Sequence, residues 1–194
     1  QAFRPERPTG DLNAETVAAA VGALLPEGAI VADEGNTTGL FVAGMTAGAP
    51  PHDWLCLTGG AIGYGMPVAT GSAIASPGRK VLNLEADGSA MYTFQSLWTQ
   101  VRHGLDVTTV ILNNSSYAVL NMELNRVGAS AGGEKAREML DLKGPDLGFV
   151  DLAHAMGVEQ ASTATTAEEF TSQLEAALAT DGPALVVAVV PPLL

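Results

Sequence analysis

The chain has 194 residues, 47% of them hydrophobic and 15% charged, with a formal net charge of -12. That balance excludes a disordered chain, and nine scattered Lys and Arg residues are too few to neutralise a nucleic-acid backbone. The length suits one domain, which at this size buries roughly 70% of its unfolded surface.

Residues 1–10 are rich in Pro and charge and begin without Met; they read as a linker with an upstream portion expected to be missing, leaving residues 11–194 as the domain. Asn13 caps a helix through Leu25, ended by Pro26-Glu27-Gly28. Then come a strand over 29–33, a polar turn over 35–38, an apolar helix over 40–46, a strand over 54–57 and a Gly-rich stretch over 58–65. A buried Ala-rich helix over 66–76 ends at Pro77-Gly78. A strand over 80–84 leads to Asp87, a crossover helix over 91–101 follows, and a β-branched strand over 107–112 delivers Asn113 and Asn114. A helix over 117–126 is next. The composition then shifts to Gly, Lys, Glu and Asp over 127–148, a mobile surface segment that could serve as a lid. A helix over 149–156, a short strand over 158–161, a helix over 166–179 with the capping box Thr166-x-x-Glu169, and a strand over 184–190 complete the alternation. This order predicts the fold class: α/β, a doubly wound, mostly parallel sheet of about six strands flanked by helices, binding ligands at the carboxyl ends of its strands.

No apolar run reaches the ~18 residues of a membrane span and no secretory pattern opens the chain, so a cytoplasmic protein is expected, with neither membrane nor nucleic acid as partner. Cys56 is alone, which leaves no intrachain disulfide and no cysteine metal cluster; it reads as a small apolar residue of the second strand. His52, His103 and His154 fall on unrelated elements and form no triad.

The stretch Ala86-Asp87-Gly88-Ser89, followed after a crossover by Asn113-Asn114, carries the chemistry. Asp-Gly after a strand is common turn chemistry on its own. Paired with two amides at the end of a parallel neighbour, the carboxylate suits a divalent cation clamped onto a diphosphate, since a hard cation such as magnesium takes oxygen ligands and keeps phosphate oxygens among them.

These motifs resemble the cofactor motif of thiamine diphosphate-dependent enzymes, in particular the benzoylformate decarboxylase and acetolactate synthase branch. The likeness covers essentially the whole chain but only the last of the family's three domains, the one that binds the diphosphate. It implies that Asp87, the Asn114 side chain and the Ser116 backbone carbonyl ligate Mg2+, while Asn113 holds the turn. It also implies that Asn36, Thr37, Gly88 and Ser89 meet the diphosphate, with backbone amides of Tyr117 and Ala118 adding to them. In the Gly-rich stretch, Gly60 would give a carbonyl to the cofactor's exocyclic amine, and Ile62 would be the apolar wedge that bends it; the alternative for Ile62 is ordinary core. The family pattern has Gly where this chain has Ala86, a departure that matters if that backbone position is left-handed. Glu34 receives no role, because a carboxylate beside a diphosphate is repulsive unless cationic or hydrogen-bonding partners intervene.

The resemblance thus implies a thiamine diphosphate- and Mg-binding domain of a 2-oxo acid decarboxylase or carboligase, in a homo-oligomer. The chain has no catalytic residue of its own: the activating glutamate is expected on a pyrimidine-binding domain of the same or a neighbouring chain. Alone, the chain is expected to bind the metal and diphosphate weakly or not at all, and not to turn over unless a partner supplies the pyrimidine half. The alternatives are acetolactate formation specifically, a non-catalytic binding module that retains the fold, and an unrelated nucleotide-binding domain, which the absence of G-x-G-x-x-G disfavours.

Overall fold

Among the described residues six strands form one sheet in which every neighbouring pair is parallel. They are β1 (Ile30–Glu34), β2 (Asp53–Cys56), β3 (Val81–Ala86), β4 (Val107–Asn113), β5 (Gln160–Ala164) and β6 (Ala184–Val189), in the order β2-β1-β3-β4-β6-β5. The computed structural model describes residues 3–129 and 133–193. Gln1 and Ala2 of the expected linker, and residues 130–132 of the expected mobile segment, lie outside the described residues.

The side-chain period of two sorts the strands' apolar residues onto two faces. Val31, Leu82, Leu84, Val110, Leu112 and Val186 pack with Val17, Val21, Phe170 and Leu174 of helices α1 (Ala14–Leu24) and α10 (Ala167–Leu178). On the opposite face Ile111, Leu185 and Val187 meet Leu97 of α6 (Ser96–Arg102) and Phe149 and Ala153 of α9 (Phe149–Ala155). Beside them, Ile30, Ala32, Val81 and Val107 meet Ala69 and Ala73 of α4 (Gly65–Ala75). Helices therefore cover both faces, as an all-parallel sheet requires. Both long caps follow the sequence: Asn13 Oδ1 accepts the amides of Glu15 and Thr16, and Thr166 and Glu169 close the expected capping box.

Several elements depart from expectation. The polar turn expected over 35–38 is a single helical turn, α2 (Asn36–Gly39), which starts at Asn36 with φ +47°, and the apolar helix expected over 40–46 shrinks to the single turn α3 (Val42–Met45). The crossover also comes in two pieces, α5 (Asp87–Thr93) and α6. Between them Leu97 N donates to the Phe94 carbonyl and Trp98 N to that of Gln95, the tighter three-residue pattern that re-aims a helix axis. Phe94 is thereby buried against Phe149, ring centroids 5.8 Å apart. β5 begins two residues later than expected, because Gly157 turns at φ +90° and Val158 is spent in the core. Cys56 lies in a strand as expected, but β2 is an edge strand and leaves it exposed.

The N-terminal residues adhere to the domain. The Arg4 guanidinium donates to the carbonyls of Gly22, Ala23 and Leu25, the free acceptors at the end of α1. Among the described residues no helix is long and apolar enough to cross a membrane.

The chain runs from β1 outward to β2, then crosses back to β3 on the other side of β1. Connections leaving the carboxyl ends of β1 and β3 diverge, and a crevice opens between them. This switch point is where sheets of this kind bind ligands.

Candidate functional site

A cavity of about 500 Å³ lies over the carboxyl ends of β1, β3 and β4. All eleven residues expected of the site line it: Asn36 and Thr37 after β1, Gly60 and Ile62 after β2, Asp87, Gly88 and Ser89 after β3, and Asn114, Ser116, Tyr117 and Ala118 after β4.

Each wall has a local cause. Ala86, the last residue of β3, has φ -75° and ψ 146°, so alanine sits there without the strain that a left-handed position would impose. Asp87 opens α5 and is almost wholly buried, at 2% exposure. Its Oδ1 accepts the Gly88 amide at 2.8 Å and its Oδ2 the Ser115 amide at 2.6 Å, which ties the end of β3 to the turn after β4. Burial pushes the Asp87 carboxyl above its ordinary value, against the opposing pull of these amides. That turn is held as expected by Asn113, whose Oδ1 accepts from the Ser115 amide and hydroxyl, with Ser115 itself at φ +54°. Asn114 Oδ1 accepts the Ser116 amide at 3.0 Å and keeps a second lone pair. Gly88 leaves room for a neighbour, since a Cβ there would come within 2.5 Å of the Tyr117 ring.

The first turn, α2, binds the other two walls together. Asn36 Nδ2 donates to Ser89 Oγ and Asn114 Nδ2 to Thr38 Oγ1, each at 3.4 Å. Thr38, which the sequence does not single out, is therefore a strut for Asn114. The amides of Tyr117 and Ala118 already have acceptors, the carbonyls of Leu140 and Ser116. A phosphate at those amides has to displace them.

In the segment over 127–148, the described residues from 133 onward make more contacts with the site than its composition predicts. It contains α8 (Glu134–Glu138), and Ser116 pairs with Asp141 in an antiparallel bridge, with Leu142 N donating to the Ser115 carbonyl. These bonds draw Met139 and Leu140 into the cavity lining, together with Ile62 and with Val119 and Leu120 of α7 (Ala118–Arg126). Ile62 is 44% exposed, which removes the ordinary-core alternative. The result is a cavity with polar oxygens at its floor and apolar side chains at its mouth.

Two carboxyls beneath the floor escape a reading of motifs. Glu34 and Glu85 are register partners across β1 and β3, and both are buried. Burial first, and the Glu34 carboxylate second, push the Glu85 carboxyl up to about 9. The signal was available in β3 itself: Asn83 and Glu85, two residues apart, put polar groups on one face of a strand buried on both sides, and such groups need partners.

A cavity at the switch point of an all-parallel sheet, with converging oxygens on one wall and a glycine-rich loop on another, defines a ligand-binding α/β domain. Residues 33–188 match the family described as thiamine pyrophosphate enzyme, C-terminal TPP binding domain, and the chain belongs to that family. It is 57% identical over 193 residues to a Mycobacterium tuberculosis protein named as acetolactate synthase large subunit IlvX, covering 99% of this chain and 37% of that one. It is 32% identical over 177 residues to benzoylformate decarboxylase of Pseudomonas aeruginosa, covering 91% of this chain and 32% of the relative. In structure it resembles the thiamine diphosphate-dependent 4-hydroxybenzoylformate decarboxylase of Rhodococcus jostii RHA1, with a TM-score of 0.82 at 29% identity over 98% of this chain and 35% of that one. The chain spans about a third of the length of these proteins.

Proposed function

We propose that this chain supplies the metal and diphosphate half of the active site of a 2-oxo acid decarboxylase or carboligase that uses thiamine diphosphate and Mg2+. The observation that carries the reading is the convergence of Asp87, Asn114 and Ser116 on one cavity wall, facing Gly60 and Ile62 on another. The donor set fits a hard cation. One carboxylate, one amide oxygen and one backbone carbonyl are all oxygens, and they leave octahedral positions for phosphate oxygens and water.

In this reading Asp87 and Asn114 hold the metal through lone pairs not used by the Gly88, Ser115 and Ser116 amides. Ser116 joins through its carbonyl, and Asn36, Thr37 and Ser89 offer hydrogen bonds to diphosphate oxygens. The cation is needed because the chain is acidic and none of the cavity-lining residues is basic. The mostly apolar mouth, with Ile62, Val119, Leu120 and Met139, excludes water from the reacting end and lends room to the side chain of a 2-oxo acid. When bound, thiamine diphosphate supplies the hard chemistry, a carbanion that adds to the 2-oxo carbonyl and an electron sink once carbon dioxide leaves. Gly60 and Ile62 orient the pyrimidine side, and a glutamate from a pyrimidine-binding domain of the same or a neighbouring chain activates it. The working unit is then an oligomer of longer subunits, in the cytoplasm.

The 57% identity to a protein named for acetolactate synthase favours carboligation as the second reading. Both readings make the same prediction for this chain alone. Purified and supplied with magnesium and thiamine diphosphate, it releases no carbon dioxide from benzoylformate or pyruvate. Turnover by the 194-residue chain would overturn the assignment of the activating carboxylate to another domain.

A further inference from the structure

Glu34 is the last residue of β1 and 1% exposed, next to the turn that carries Asn36 and Thr37. A carboxyl group there is costly, because it faces a second carboxyl, Glu85, in a sheet closed on both sides. Its partners are what make the position intelligible. Oε1 accepts the Gly63 amide at 2.6 Å and Oε2 accepts the Gly65 amide. Two N–H groups two residues apart along one loop call for two acceptor oxygens on one side chain, and only a carboxylate offers them.

The loop so gripped is the one that carries Gly60 and Ile62. Its glycines at 59, 60 and 63 all have positive φ, so the backbone there is permissive and needs an external hold. Gly63 is held from the other side too, since Thr93 Oγ1 donates to its carbonyl at 3.1 Å from α5. Gly65 fits only without a side chain: a Cβ would stand 2.3 Å from Glu85 Oε2 and 2.9 Å from Asn83 Oδ1. The loop is thus referenced to β1, which leads into the α2 turn with Asn36 and Thr37, and to α5, which carries Gly88 and Ser89.

We propose that Glu34 is the positioning residue for the pyrimidine side of the site, its carboxylate fixing the Gly60–Ile62 turn relative to the Asp87 wall by accepting the Gly63 and Gly65 amides. The proposal rests on the cofactor reading above. Glu34 touches neither metal nor diphosphate in it, and acts through the loop. Spacing between the two walls is what lets a single ligand bridge them, and misplacement of about an ångström is enough to lose much of that benefit.

The test uses the full chain and Glu34→Gln, which keeps the shape but turns one acceptor oxygen into a donor, so that one loop amide loses its partner. Thr93→Val removes the lesser hold and guards against a Glu34 variant that does not fold. Two measurements are made: hydrogen exchange of the peptide spanning 58–66 against that of β4, and titration with magnesium plus either thiamine diphosphate or inorganic diphosphate. The loss of one hydrogen bond corresponds to about a fivefold change in affinity. We expect Glu34→Gln to speed exchange in 58–66 alone, to weaken thiamine diphosphate by about fivefold or more, and to leave inorganic diphosphate within about twofold; Thr93→Val shifts the same readouts less. Equal weakening of both ligands, or unchanged exchange in 58–66, overturns the proposal. A wild-type chain that binds neither ligand overturns the cofactor reading itself and this inference with it.

Discussion

Glu85 is the residue whose chemistry is most altered by the fold. Its carboxyl is pushed up to about 9 by burial and by Glu34, against roughly 4.3 in an unfolded chain. The folded protein then keeps a proton that the unfolded chain gives up as pH rises past 4.3. Stability from this group is complete below that pH, falls through neutrality, and is lost as pH rises through about 9. Glu85→Gln removes the dependence. In metal-free protein the variant gains on the wild type as pH rises, by on the order of 3 kcal/mol between pH 5.5 and 8, as read from urea unfolding at those two pH values. A gap that does not change with pH would show that Glu85 ionises in the fold. The placement of Asp87 and Asn114 at one cavity was legible in the sequence because it depends on type and spacing along two strands. That of Glu34 and Glu85 was not, because it depends on register across β1 and β3 and on a loop returning from β2.

Elements that bury a full stripe or carry a cap came through the sequence with little error. α1 and α10 start at the capping residues expected of them, and β4 spans its β-branched run. Thr166→Ala removes the side-chain acceptor for the Glu169 amide at an exposed helix start. It should cost about 1 kcal/mol and lower the melting temperature by roughly 2–4 °C, while Thr166→Ser should cost much less. Equal melting of Thr166→Ala and wild type would show that packing alone sets that helix end. The misread elements are those decided by tertiary contact. The bend between α5 and α6 follows from burying Phe94 on Phe149, and the tail of the segment over 127–148 is held by a bridge to Ser116 that no composition encodes.

At the scale of the whole molecule, the sheet order places three strand ends around one cavity, and residues 33–188 match a C-terminal TPP-binding domain. The chain spans about a third of the length of these relatives. The parallel, doubly wound class was legible from the alternation of elements. The closeness of the two cavity walls was not, since it arises from the crossing back from β2 to β3. Whether Asp87 anchors a metal-bound diphosphate is decided by calorimetric titration of the chain with thiamine diphosphate. The wild type should bind only when magnesium is present, weakly enough to need ligand near millimolar concentration, and Asp87→Ala should show no magnesium-dependent binding while keeping its far-ultraviolet circular dichroism. Binding by Asp87→Ala as tight as by the wild type, or wild-type binding indifferent to magnesium, would contradict that anchoring role.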